Sequence, residues 1–173
     1  MKKKILKGVG SVYKLSSTNV EEKKNKYDLK ALGSRVQCDF SYNPSVLEAF
    51  PNRQKSPQLV RLTCNEFTSL CPITGQPDFA KITINYIPNQ KVVETKALKL
   101  YLCSFRNYGC FQETITDIIM QDLINLLDPL YIEVSSEFSS RGGIAITPFS
   151  NYAKRGSVYE DMERSRKLSY LQK

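Results

Sequence analysis

Residues 67–79, Phe-Thr-Ser-Leu-Cys-Pro-Ile-Thr-Gly-Gln-Pro-Asp-Phe, constrain the fold more than any other stretch. Pro72, Gly75 and Pro77 lie so close together that the segment has no place in a helix interior. Pro72 also drives Cys71 toward extended backbone. On one side, Gln58 to Phe67 carries the apolar residues Leu59, Val60, Leu62 and Phe67. On the other, Phe79 to Pro88 alternates apolar and polar residues cleanly. The stretch is therefore expected to be a stiff loop between two antiparallel strands, with a thiol, Cys71, at one end and a carboxylate, Asp78, at the other. A rigid loop on a sheet is a common mount for chemistry. Two readings stay open from these residues alone: a buried thiol with a turn-capping Asp, or a nucleophile beside an acid.

The rest of the chain frames that hairpin. Residues 1–33 are polar and lysine-rich, as expected of a mobile N-terminal arm. Val36–Tyr42 alternates and predicts a first strand. Residues 43–57 hold Pro44, Pro51 and Pro57 and read as loop, with one helical turn over Val46–Phe50. The period then changes: Leu98, Tyr101, Leu102 and Phe105 mark one face of a helix over Glu94–Phe105. Asn107-Tyr108-Gly109 breaks it. A second amphipathic helix covers Glu113–Leu127, with Ile115, Ile118, Ile119, Leu123, Leu126 and Leu127 inward, and Asp128-Pro129 ends it. Tyr131–Val134 is a fourth strand. Arg141-Gly142-Gly143 turns into a fifth, Ile144–Thr147. From Asn151 the chain is polar and basic, and residues 166–173 are set apart as a basic C-terminal tail. This order predicts one α+β domain over residues 34–165, an antiparallel sheet with two helices on one face.

Composition narrows the function. The 173 residues are 41% hydrophobic and 24% charged, an ordinary globular balance. No run approaches the length of a membrane span, and the basic start lacks the apolar core of a signal peptide, so a cytoplasmic protein is expected. Five cysteines without a CxxC pair argue for reduced thiols rather than zinc. The net charge of +8 favours an anionic partner, nucleic acid or a phosphate-bearing small molecule. Much of that charge sits at the two ends, and no aromatic-interleaved RNA motif is present, so direct nucleic-acid binding is not expected. The chain has no histidine. That excludes Cys-His and Ser-His hydrolases in their usual forms, and His-ligated zinc sites.

Three groups of side chains are candidates for binding. Lys96 and Lys99, with the flexible Arg141-Gly142-Gly143 turn, suit a nucleotide phosphate, or else a solvated helix face. With no GxGxxG and no P-loop, such a nucleotide would not bind in Rossmann fashion. Glu113 suits either the dipole of the second helix or, if buried, the N–H edge of a purine-like ring on which Phe111 stacks.

Taken together, these stretches resemble the NADPH-dependent 7-cyano-7-deazaguanine reductases, the nitrile reductases of queuosine biosynthesis, in their short single-module form. The resemblance is carried by Glu94–Tyr101, Glu66–Ala80, Ser104–Asn107, Phe111, Glu113, Asp128-Pro129, Arg141–Ile144 and Asn151-Tyr152. It implies a tunnelling fold assembled into a ring-forming homo-oligomer, with active sites between subunits. It implies that Cys71 attacks the nitrile carbon to give a thioimide and that Asp78 donates a proton. Val93, Glu94 and Thr95 would line the substrate site and Glu113 would hold the deazaguanine base. Lys96, Lys99 and Arg141 would face NADPH. A nitrile is a weak electrophile and suits a thiolate, which Lys96 and Lys99 would favour if they lie near Cys71.

One position departs from the family pattern. The family carries His immediately before the base-binding Glu, and here Gln112 stands there. Gln still offers a donor and an acceptor to the substrate, but it cannot shuttle a proton. Two alternatives follow: an amidinotransferase-like relative acting on nitrile-modified tRNA, against which the intact Glu94–Tyr101 stretch argues, and a non-catalytic deazapurine-binding protein, which only Gln112 supports.

Overall fold

The structure, a computed structural model, describes residues 28–31 and 37–171. Its strands are β1 (Ala49–Pro51), β2 (Val60–Leu70), β3 (Pro77–Ile87), β4 (Lys91–Val93), β5 (Tyr131–Phe138) and β6 (Phe149–Ala153). Its α-helices are α1 (Thr95–Ser104), α2 (Gln112–Leu127) and α3 (Glu160–Tyr170). Strands β2-β3-β5-β6 form one antiparallel sheet, and β1 pairs with β4 in a small second one.

Strand periodicity decides which face is covered. On β3, Ala80, Ile82, Ile84 and Tyr86 point to one side, and on β5, Ile132, Val134 and Phe138 join them. Helices α1 and α2 close over this face. Leu98, Tyr101, Leu102 and Phe105 are all buried, as their spacing predicts, and so are Ile115, Ile119, Leu123 and Leu127. An aromatic cluster locks the end of α1 to the sheet: Phe105 meets Phe67 at 5.5 Å and Tyr101 at 5.2 Å between ring centroids. Asp128, with φ 44°, turns α2 off in the left-handed conformation, its N–H returning to the Ile124 carbonyl.

The sequence-based expectations fail in four places. The expected strand at 36–42 is absent over its described residues, 37–42. There Asp39 turns back on the Ser41 N–H, the Phe40 carbonyl accepts from Asn107, and Tyr42 joins the aromatic cluster. Alternation reported two sides of an extended segment, but no strand edge lay beside it. The helical turn expected at Val46–Phe50 is a short 3-10 turn at Pro44–Val46, followed by β1. The expected fifth strand at Ile144–Thr147 lies later, at β6, because Pro148 has no N–H to give the ladder.

The fourth is at the C-terminus, where the basic tail contains α3, so the boundary drawn after residue 165 falls inside a helix. Helix α3 packs on the sheet face opposite α1 and α2 through polar anchors. Arg166 forks onto the buried Glu133 at 2.8 and 2.9 Å, and the Tyr170 ring stacks on Phe149. The arm lies outside the described residues except for 28–31, where the Lys30 and Ala31 N–H groups donate to the Glu48 carboxylate.

Candidate active site

The loop between β2 and β3 is closed by its own backbone. Cys71 N–H donates to the Gln76 carbonyl at 2.8 Å, and Gly75 N–H returns to the Cys71 carbonyl at 2.9 Å. Gly75 supplies the φ of 67° that this tight return requires. The turn aims donors at the Cys71 sulfur. The Thr74 hydroxyl, the Thr74 N–H, the Arg141 guanidinium and the Ile73 N–H, in that order, outweigh burial and lower the thiol to about 6. The thiol therefore gives up its proton far more readily than an ordinary cysteine.

Asp78 sits opposite Ser69 across the hairpin and is 3% exposed. Neither of its carboxylate oxygens has a hydrogen-bond donor among the described residues, and the Ser69 hydroxyl is likewise buried without a partner. Its counter-charge is Arg141, whose Nε stands 3.0 Å from Oδ1 in an ion pair that lacks the alignment of a hydrogen bond. Arg141 is delivered by the chain leaving β5: Ser139 N–H donates to Phe79, and Arg141 and Ile144 exchange backbone bonds at 3.0 and 3.1 Å. Gly142 and Gly143, with φ of 58° and 84°, make that reversal possible.

The start of α2 reaches the same place. Leu70 N–H donates to Tyr108, and Cys110 N–H donates to Leu70, so residues 108–110 run beside the end of β2. Phe111, 58% exposed, then leads into α2, followed by the buried Gln112 and by Glu113, which is exposed in the first turn. Cys71, Asp78, Arg141, Phe111, Gln112 and Glu113 therefore gather at one end of the sheet.

The remaining candidates do not join them. Val93 is buried at the opposite end of β3, where its N–H donates to the Tyr86 hydroxyl at 3.3 Å. Glu94 caps α1, its carboxylate accepting the N–H groups of Lys96 at 3.0 Å and Ala97 at 2.6 Å. Thr95 is exposed beside it, and the Lys96 ammonium donates to the Ala31 carbonyl. Lys99 lines a groove of about 460 Å³ between α1 and β2, together with Thr95, Arg106 and Glu66. From Asp78 to Tyr86 the strand rises about 26 Å, so within one chain the two sets are held apart.

Neither lysine contributes to the lowered Cys71 thiol; Thr74 and Arg141 do. Thr74 lies within the quoted loop, and a hydroxyl one turn after a cysteine was the available signal. Ser69 and Arg106 carried none. Among the described residues, no group of three metal-ligating side chains converges.

Comparison with known proteins bears on this geometry. The sequence profile of the family described as QueF-like protein matches residues 77–157. The NADPH-dependent 7-cyano-7-deazaguanine reductase of Porphyromonas gingivalis is 58% identical over 140 residues, covering 80% of this chain and 91% of that protein. Its namesake from Bacteroides fragilis is 53% identical over 146 residues, covering 84% and 97%. The one from Staphylococcus saprophyticus is 52% identical over 155 residues, covering 88% and 93%. Among solved structures, that of the archaeosine synthase QueF-Like in the apo form superposes with a TM-score of 0.54 at 25% identity, covering 58% of this chain and 98% of its own.

Proposed function

The chain belongs to the family of NADPH-dependent 7-cyano-7-deazaguanine reductases, and from that membership we propose that it reduces the nitrile of 7-cyano-7-deazaguanine to a primary amine through a thioimide on Cys71. The observation that carries the proposal is the lowered Cys71 thiol beside the buried Asp78. A thiolate adds to the nitrile carbon, a sulfur–carbon bond forms, and one carbon–nitrogen π bond breaks onto nitrogen. The proton that Cys71 gives up passes through Asp78 to that nitrogen. Phe111 offers a ring for the base to stack on. Glu113 accepts its N–H edge, and Gln112 presents a donor and an acceptor beside it.

The residues present fit NADPH. The groove between α1 and β2 offers cations in Lys99 and Arg106 for its phosphates, with Lys96 on the adjoining turn. When bound, NADPH supplies a hydride in each of two successive reductions, and two protons complete the amine. The site's two halves lie at opposite ends of β3. The reading therefore requires one subunit's Cys71 half to meet another's α1 half in a homo-oligomer. The enzyme acts on a free small molecule in tRNA queuosine biosynthesis, with no membrane involved. No helix among the described residues is long and apolar enough to cross one. A cytoplasmic location is proposed from the family's small-molecule reaction, which needs a reduced thiol and NADPH.

The test is intact-mass spectrometry with the free nitrile, without NADPH. The wild type should gain an adduct that Cys71→Ala lacks, and NADPH should then be oxidised at two equivalents per amine formed. A mass shift that persists in Cys71→Ala sinks the assignment.

A further inference from the structure

Arg141 stands between two groups that each carry a negative charge during the reaction. It is 36% exposed at its side chain and reaches inward to Asp78, whose side chain is 1% exposed. Its guanidinium also lies within reach of the Cys71 sulfur and helps lower that thiol. A buried carboxylate without hydrogen-bond donors depends on its ion pair, since removing the partner leaves an uncompensated charge. The same guanidinium has several N–H groups fixed in one plane, enough to engage two anions at once.

We propose that Arg141 is a positioning residue that serves as the shared counter-ion of Cys71 and Asp78, following the negative charge as the proton moves between them. This rests on the reading of Cys71 as the nucleophile.

Cys71, Asp78 and Arg141 hold one mobile proton, and with it the group is neutral. While the proton is on sulfur, Arg141 pairs with the Asp78 carboxylate. When the proton moves to Asp78, the charge moves to sulfur and Arg141 is already in contact with it. Sulfur then bonds to the nitrile carbon, the π electrons go to nitrogen, and Asp78 gives nitrogen the proton. The charge is back on Asp78, and Arg141 is again its partner. At no stage does a buried charge lose its counter-ion, and no oxidant or reductant is needed. The lowered thiol agrees with this, although the Thr74 hydroxyl is its larger cause. The Gly142-Gly143 reversal sets Arg141 in this position. A purely cofactor-binding Arg141 would have no reason to contact both side chains.

The test is the pH profile of Cys71 alkylation by iodoacetamide, followed at the Cys71 peptide by mass spectrometry, with neither substrate nor NADPH present. The wild type should show a midpoint near the value of about 6 that the structure gives. Arg141→Gln should raise it by about one pH unit and slow alkylation below pH 6 about tenfold, with Arg141→Lys in between. Adduct formation from the nitrile, again without NADPH, should slow in the same order. A wild-type midpoint at that of an ordinary thiol overturns the proposal whether or not the variants fold. An unchanged midpoint in Arg141→Gln, with only the KM for NADPH raised, overturns it too. If the wild type alkylates as expected but forms no adduct, the nitrile reading fails while the counter-ion assignment stands.

Discussion

The strongest consequence of the fold is that two inactive variants should rescue each other. Cys71 and Asp78 lie at one end of β3, and Val93, Glu94 and Thr95 at the other, about 26 Å away along the strand. A substrate bonded to the Cys71 sulfur does not reach that far, so the proposed reading takes the α1 half from a neighbouring chain. Let Cys71→Ala be co-expressed in equal amounts with a second chain carrying Lys96→Ala and Lys99→Ala. If assembly is random, a site receives an intact Cys71 half with probability one half and an intact lysine half with the same probability. About a quarter of sites are then whole, so about a quarter of wild-type activity is expected. The assay is NADPH oxidation with the nitrile, at NADPH well below the wild-type KM and at low salt, where the lysine variant falls furthest below the wild type. Differently tagged chains purified through both tags confirm mixed assemblies. If a mixed assembly shows no more than the sum of the two parents, both halves act within one chain and the reasoning is wrong.

Three further outcomes follow. Glu94→Ala removes two N-cap bonds from α1 and should cost about 1–2 kcal/mol, read as a lower denaturant midpoint at unchanged slope. Glu133→Ala strands Arg166 and two neighbours and should cost about 3 kcal/mol, with α3 becoming the first site of proteolysis. Burial alone would raise the Glu133 carboxyl, but its bonds from Arg166, Tyr131 and Asn85 hold it below its ordinary value. Its contribution is therefore full above the unfolded carboxyl range and is lost as pH falls through the lower folded value; a variant as acid-resistant as the wild type contradicts this. Gln112→His tests whether the residue before Glu113 orients or transfers protons. Single-turnover reduction of the preformed adduct should change little, whereas a hundredfold gain with a new titration near 6.5 would assign it proton transfer.

Much of the site was legible because its parts are local. The Cys71 loop is written by Pro72, Gly75 and Pro77, and the register of β2 on β3 then fixes Asp78 opposite Ser69. The helix faces were legible for the same reason, since Leu98, Tyr101, Leu102 and Phe105 repeat at the helical period and all are buried. Helix α3 was not. Its anchors are Glu163, Arg166 and Tyr170, and hydrophobic periodicity carries no trace of a helix that docks through charges.

Arg141 shows where local information ends. The sequence by itself determined that a cation would open a Gly-Gly reversal after the last long strand, and that a thiol and an acid would flank a rigid loop. It also determined, by offering no histidine, that no imidazole serves that thiol. Only the tertiary structure decided that the cation faces Cys71 and Asp78 instead of lying with Lys96 and Lys99, because β5 pairs with β3 and carries residue 141 to that end of the sheet. The run of β3 itself, continuing into β4, carries Val93, Glu94 and Thr95 to the other end. Charge and turn chemistry are properties of neighbours in sequence, whereas the end of a sheet a residue reaches depends on strand pairings between residues dozens of positions apart.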